Sequence, residues 1–145
     1  MATIKISAMA AAAALDGTEL VEAVQAGANK KATAGDLATL ARRRPINNQA
    51  GTSYTLVLAD AGSGVRMSNA AAITLTIPTN ALVAFPIGTV VLVRQVGAGQ
   101  VTVSGAGVTI NVPAGFLAKT AGQHAAAELH KVAADEWDLR GNLAV

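Results

Sequence analysis

The second part of the chain, residues 53–145, is a series of short segments in which apolar and polar residues alternate. A period of two puts successive side chains on opposite faces of a β-strand. Ile73, Leu75 and Ile77 share one face in this way, with threonines between them. The segment 89–96 (TVVLVRQV) is apolar on both faces, which is typical of a central strand or of a strand that a partner subunit covers. This part is therefore predicted to consist of strands.

The connections between these segments are short and contain glycine, as at 61–64, 97–99 and 105–107. Turns of this kind commonly join antiparallel neighbours as β-hairpins. The predicted fold class is therefore all-β, with an antiparallel β-sandwich or a barrel-like domain over residues 53–145.

The first third of the chain has a mixed pattern. Residues 18–25 (TELVEAVQ) alternate like a half-buried strand, and 29–33 can return as a second strand after a break at Ala26-Gly27. The pattern predicts a small hairpin.

A short helix is predicted over residues 34–43. Thr33 and Asp36 have the spacing of an N-cap residue and an acid in the first helical turn, and Leu37 and Leu40 follow at helical spacing. The chain thus begins with a hairpin and a helix before the strand-rich part.

The segment 45–52 (PINNQAGT) is polar, turn-prone and without periodic pattern, so it is predicted to be a linker. The predicted organisation is an arm over residues 1–44, this linker, and an oligomerising β-domain over 53–145.

Composition favours association between copies. Although 52% of the residues are hydrophobic, only 3% are aromatic, and alanine, which buries little area, supplies much of the rest. A monomer would have a thin core that neighbouring copies can complete. The alanine-rich run 6–15 is shorter than the ~20 residues that span a bilayer and is a weak secretory signal, so a soluble chain with no membrane partner is expected.

The charge distribution is nearly balanced, with a formal net charge of +2 and no cysteine to bind metal or form disulfides. A nucleic-acid-binding protein usually has a strongly basic face, so nucleic acid is not an expected partner. The basic residues of the first third are concentrated at Lys30, Lys31 and the run Arg42-Arg43-Arg44. These arginines can contact phosphate, but a solvated basic helix end is the commoner arrangement.

Few residues offer catalytic chemistry. The glycine runs at 97–99 and 105–107 do not complete G-x-G-x-x-G, and no Walker lysine follows them, so both are interpreted as turns. His124 and His130 are six apart, which would place both on one strand face, but no third ligand lies nearby. No metal and no cofactor are expected, unless a symmetry axis gathers several copies of one histidine.

Acidic residues surround the only tryptophan. Asp135, Glu136 and Asp138 beside Trp137 have the outline of a glycosidase site or a sugar platform. Because Glu136 and Asp138 alternate with Trp137 and Leu139, the preferred interpretation is the polar face of a strand. Trp137 is predicted to be a core anchor.

Two stretches resemble structural proteins of tailed-bacteriophage virions. Residues 6–40, ISAMAAAAALDGTELVEAVQAGANKKATAGDLATL, resemble the N-terminal attachment modules of tail fibres. Residues 54–143, with YTLVLADAG, AITLTIP and EWDLRGNL, resemble a β-module of such fibres and of head-decorating proteins. The resemblance implies a homo-oligomeric, often trimeric, β-rich virion component that is assembled in the cytoplasm of a bacterial host. It does not imply an enzyme.

The resemblance further implies that residues 1–44 dock the chain onto other virion proteins. The candidate docking residues are Glu19, Leu20, Val21, Lys30, Lys31, Arg42, Arg43 and Arg44. Tail fibres usually continue into a shaft and a tip, whereas this chain stops at Val145. Because residues 18–25 (TELVEAVQ) resemble a tail-attachment element, a tail fibre or a fibre base or adaptor is expected. Capsid decoration is the alternative, and a carbohydrate-binding module that uses Trp137 on host polysaccharide is a third interpretation.

Overall fold

The computed structural model describes Thr18, Leu20–Gln25 and Ala28–Val145, with side chains described at Thr18, Leu20 and Val21 and from Lys31 onward. The chain divides into two compact units, residues 1–43 and residues 44–145.

The first unit contains the predicted hairpin and helix. Strands β1 (Leu20–Gln25) and β2 (Ala28–Thr33) pair antiparallel, and helix α1 (Ala34–Arg42) follows at once. A capping box begins the helix: the Thr33 hydroxyl accepts a hydrogen bond from the Asp36 amide at 3.0 Å, and the Asp36 carboxylate accepts one from the Thr33 amide at 3.1 Å. Hydrogen bonds from Thr33 to the ionised carboxylate lower the pKa of Asp36.

The second unit is built from strands and one short 3-10 turn, Leu58–Asp60. Its strands are β3 (Ile46–Gln49), β4 (Ser53–Thr55), β5 (Gly64–Met67), β6 (Ile73–Thr76), β7 (Val90–Gln95), β8 (Val101–Ser104), β9 (Thr109–Asn111), β10 (Ala126–Ala133) and β11 (Glu136–Gly141).

The first six of these strands form a short solenoid. β3, β5 and β7 lie side by side in one sheet, and β4, β6 and β8 lie side by side in a second sheet, all of them parallel to their neighbours. The chain therefore passes from the first sheet to the second three times, and each pass stacks on the one before. We call the pairs β3–β4, β5–β6 and β7–β8 the first, second and third coils.

The remaining strands complete the first sheet, whose order is β3-β5-β7-β10-β11-β9. β10 pairs antiparallel with both β7 and β11, and β9 pairs parallel with β11. The sheet is thus mixed, while the three-stranded second sheet is wholly parallel.

The predicted fold class, an all-β antiparallel sandwich or barrel, is wrong, since the chain also contains helix α1 and five of the seven strand pairings of this unit are parallel. The glycine-bearing segment 97–99 shows the reason: it is a corner that carries the chain from β7 in one sheet to β8 in the other, and not a hairpin turn. Strands that are adjacent in sequence therefore do not pair within a coil. Alternation of apolar and polar residues is the same for parallel and antiparallel strands, because each strand has one buried face in both cases.

The segment interpreted as a linker, residues 45–52, contains strand β3. β3 pairs in parallel with β5, so that Asn47 and Gln49 stand in register with the buried residues Val65 and Met67. Polar side chains thus occupy the inward positions of this strand, which is why no apolar alternation marks it in the sequence.

The hydrophobic core lies between the two sheets. Its large members are Leu56, Val65, Met67, Ile73, Leu75, Ile77, Phe85, Val91, Val93, Val101, Val103, Leu129, Trp137, Leu139 and Leu143. β7 is central, with β5 on one side and β10 on the other, which accounts for the apolar character of its segment. Trp137 is 1% exposed, and its ring meets that of Phe85 edge to face with centroids 5.4 Å apart.

Lys131 is a buried cation within this core. Its Nζ donates hydrogen bonds to Asn80 Oδ1 at 2.6 Å and to the Phe85 carbonyl at 2.7 Å, and it lies 6.0 Å from the centroid of the Trp137 ring. These bonds fasten the long β6–β7 connection to β10.

Lys131→Met is expected to destabilise the second unit by about 1–3 kcal/mol, because it leaves the buried Phe85 carbonyl and the partly buried Asn80 oxygen without their donor. Lys119→Met, the same change at a half-exposed lysine, is expected to stay within about 0.5 kcal/mol of the parent protein. Chemical denaturation of both variants measures the difference. Equal stability of the two variants would show that water replaces the Lys131 ammonium without cost.

Candidate functional site

The predicted docking residues that the structure describes are on the surface. Leu20 is 63% exposed and Val21 is 42% exposed, although both belong to a paired strand. Lys31, Arg42, Arg43 and Arg44 are also exposed, while Glu19 and the side chain of Lys30 lie outside the described residues. Arg42 ends α1 and Arg43 caps it, whereas Arg44 begins the second unit. The arginine run therefore crosses the boundary between the units.

Helix α1 exposes the apolar residues that the sequence places at helical spacing. Leu37 is 45% exposed, Leu40 is 68% exposed, and none of the helix residues is buried. Leu20, Val21, Leu37 and Leu40 are together called the arm hydrophobics below. An amphipathic helix is stabilised mainly by packing of its apolar side, so this unit has large side chains available for a partner.

The acidic residues around Trp137 are engaged within the protein. Asp135 Oδ1 accepts a hydrogen bond from the Asn80 amide at 2.6 Å. Asn111 Nδ2 donates to Glu136 at 2.8 Å and to Asp138 at 3.1 Å, and Asp138 also forms an ion pair with Arg140 at 2.9 Å. Glu136 and Asp138 belong to the outer face of the sheet, as the alternation indicates, while Asp135 lies in the turn before β11 and Trp137 is buried in the core.

The two histidines do not share a strand. His124 has a positive φ of 67° in the turn before β10, and His130 lies within β10 in register with Asp138. In the part of the chain that the structure describes, no group of three or more histidine, cysteine or acidic residues is arranged to hold a metal ion.

The first glycine run is packed against the preceding coil. A Cβ atom at Gly97 would overlap the backbone of Asn69, and one at Gly99 would overlap the carbonyl of Ala71. The corner 97–99 thus lies directly on the backbone of residues 69–71, which leaves no space between them for a phosphate group.

A polar network, not apparent from the sequence, covers the first coil. Asn47 Nδ2 donates to the Tyr54 hydroxyl at 2.8 Å and to Asp60 Oδ1 at 2.7 Å, and Gln49 donates to Asn47 Oδ1 at 2.7 Å. The Tyr54 hydroxyl donates to Asp60 Oδ2 at 2.9 Å, and Asp60 is only 2% exposed. Partial burial and the neighbouring Asp60 raise the pKa of Tyr54. The network satisfies polar groups at the end of the stack, as terminal repeats of solenoids require.

The outer face of the first sheet carries a groove across β3, β5 and β7. Its cavity volume is about 460 Å³, and it is lined by Ile46, Gly64, Val65, Arg66, Leu92 and Arg94. Two rows of residues build it. Ile46, Gly64 and Leu92 are in register in one row.

The second row of the groove is polar and contains Asn48, Arg66 and Arg94. Arg66 Nη1 donates a hydrogen bond to Asn48 Oδ1 at 3.1 Å. Both arginines are exposed and occupy directly paired positions of adjacent strands. We call this feature the arginine groove.

Comparison with known proteins assigns no family to this chain. No protein-family model matches it, and no curated protein is significantly similar to it. Among the described residues, no helix has the length and apolar character needed to cross a membrane.

Proposed function

We propose that this chain is a non-enzymatic structural protein of a tailed-bacteriophage virion, in which the first unit docks onto another virion protein and the second unit is a self-associating scaffold. The observation that carries the proposal is the exposure of the arm hydrophobics. A folded hairpin and helix that keep Leu20, Val21, Leu37 and Leu40 at the surface are suited to burying them against a partner.

The internal chemistry of the second unit supports the scaffold role. Asp60, Gln95 and Lys131 are buried polar residues, and each makes hydrogen bonds within the unit. Their polar atoms therefore stabilise the stacked coils instead of facing a substrate. A rigid solenoid of this kind supplies a fixed platform for assembly.

Self-association of the second unit is proposed to give a homotrimer. Leu82 is 80% exposed and Ile87 is 71% exposed, both on the β6–β7 connection that Lys131 holds in place. Exposed large aliphatic residues on an anchored segment suit an interface between copies.

The proposed placement is a tail fibre base or adaptor, and capsid decoration is distinguished from it by copy number per virion: tens of copies indicate the tail, and hundreds indicate the capsid.

The proposed division of roles is tested with a truncated protein that begins at Arg44, which retains β3 and hence the complete first sheet. The truncated protein is expected to be folded and trimeric by light scattering after size exclusion, but unable to add back to virions that lack this protein. In the full-length chain, Leu37→Ser with Leu40→Ser is expected to reduce add-back roughly tenfold or more. Phe116→Ser, an exposed position of the second unit, is the matched control.

Two outcomes contradict the proposal in different ways. Add-back of the truncated protein at the level of the full chain would place the docking surface in the second unit. A monomeric mass for both proteins would disprove the trimer while leaving the docking role intact.

A further inference from the structure

The arginine groove contains two positive charges that face each other across paired strands. Arg66 and Arg94 are register partners on β5 and β7, and neighbouring strands lie only about 4.8 Å apart. Like charges at directly opposite positions of a sheet repel and destabilise the pairing. An anion that contacts both side chains relieves this repulsion.

The protein itself supplies no acidic partner to this pair among the described residues, whose only ion pair within 4.0 Å is Arg140 with Asp138. Asn48 binds one guanidinium of the groove through its amide oxygen, which orients Arg66 without neutralising it. Glu128 is the next acid along the sheet, but it is paired with Leu92 in the neighbouring row and not with either arginine. Both guanidinium groups therefore keep donors for a bound oxyanion.

The apolar row gives the groove its shape. Gly64 stands between Ile46 and Leu92 in register and has no side chain of its own. Ile46 Cδ1 and Arg44 Cδ lie 3.2 Å and 3.8 Å from the place that a Cβ atom would take there, so the aliphatic parts of both side chains lie beside this glycine. Leu92 is half-buried and forms apolar floor beside the arginine pair.

The volume indicates the size of the ligand. About 460 Å³ is within the range of small-molecule sites and far above the roughly 30 Å³ that one water molecule occupies in the liquid. A bare inorganic ion would contact the arginines and leave the apolar row empty. A ligand that fills the groove has both an oxyanion and a compact apolar body.

We propose that the arginine groove is a binding site for a small ligand in which a carboxylate or phosphate group is attached to an apolar ring or chain. Arg66 and Arg94 hold the oxyanion, because the planar guanidinium fork matches carboxylate and phosphate oxygens in bidentate geometry. Ile46, Gly64 and Leu92 receive the apolar body. This inference is independent of the virion role proposed above.

The test is an NMR titration of the full-length protein with cyclohexanecarboxylate, monitored by the backbone amide signals of β5 and β7. Shifts that saturate in the millimolar range are expected at Gly64–Met67 and Val90–Gln95. Acetate lacks the apolar body, and methyl cyclohexanecarboxylate lacks the charge, so each is expected to bind at least about tenfold more weakly. Cyclohexyl phosphate is the second oxyanion, and the tighter of the two charged probes identifies the preferred group.

Substitutions of the groove arginines test which side chains contact the ligand. Arg66→Ala and Arg94→Ala are each expected to weaken binding about tenfold or more, and Arg94→Lys is expected to fall between Arg94→Ala and the parent because it keeps charge without the fork. Arg140→Ala removes an exposed arginine of the same sheet and is the matched control. All three positions are at the surface, so each variant is expected to keep the amide spectrum of a folded protein. Absence of saturable shifts, or unchanged binding in both alanine variants, would overturn the proposal.

Discussion

Gly99→Ala is expected to destabilise the second unit by about 3 kcal/mol or more, which would lower its melting temperature by roughly 10 °C or more. Gly99 is buried at the corner between β7 and β8, where an added methyl group would overlap the backbone carbonyl of Ala71 in the preceding coil. A backbone atom of a stacked coil cannot rotate away as a flexible side chain can. The substitution therefore has to separate the second and third coils.

Two other glycines separate this steric effect from general effects of replacing glycine. Gly122 has open space around it and a φ outside the left-handed region, so Gly122→Ala is expected to be neutral or to stabilise by about 0.4–1 kcal/mol. Gly62 also has open space but a φ of +73°, so Gly62→Ala is expected to cost about 1 kcal/mol through backbone strain alone. Calorimetry of the three variants gives the order of their melting temperatures. If Gly99→Ala melts together with Gly62→Ala, the coils are not in the close contact described.

Trp137→Ala is expected to destabilise the second unit by about 3–5 kcal/mol, the usual cost of removing a large buried aromatic residue. The indole lies in the core, perpendicular to the Phe85 ring and near the Lys131 ammonium, so its loss leaves a cavity beside both residues. Trp137→Phe retains part of the volume and is expected to lose less. Phe116→Ala, at an exposed aromatic residue, is the control and should stay within about 0.5 kcal/mol of the parent.

The Trp137 variants also bear on carbohydrate binding. The ring is 1% exposed and presents no face to a sugar, so polysaccharide binding that disappears in Trp137→Phe without a change of melting temperature would contradict the core position. Denaturant titration measures the stability changes. Unfolding is followed by intrinsic fluorescence for the parent and by circular dichroism for the variants that lack the indole.

Local sequence signals identified the individual elements well. The spacing of Thr33 and Asp36 located the start of α1, and alternation over Ile73, Leu75 and Ile77 located β6. These signals depend on residues that are near one another in the chain. They determine which side chains share a face, but not which strand lies alongside.

The direction of pairing was not available from the same signals. β5 and β7 are parallel neighbours although the whole of β6 lies between them in the sequence, and nothing in either segment records that register. Strand β3 was interpreted as a linker because its inward residues, Asn47 and Gln49, are polar. Their buried partners become apparent only when Tyr54 and Asp60 are brought to them by the first coil.

The candidate ligand site was hidden for the same reason. Arg66 and Arg94 are separated in the sequence by a complete coil and look like isolated polar positions on two outer faces. The register of β5 with β7 brings them together, and Gly64, which the sequence offers only as a turn residue, becomes part of the groove lining between Ile46 and Leu92. A site of this type can be identified only when the pairing of its strands is known.

The alternation of the chain between two sheets also gives the molecule a modular character. The connection from β4 to β5 runs from Thr55 to Gly64, whereas the equivalent one from β6 to β7 runs from Thr76 to Val90, yet the strands on either side stack in the same way. Corner length is therefore uncoupled from coil stacking, and lengthening a loop costs little conformational entropy. New surface can accumulate by insertion at the β4–β5 and β6–β7 connections while the stacked strands, and the close glycine contacts of the β7–β8 corner, stay unchanged.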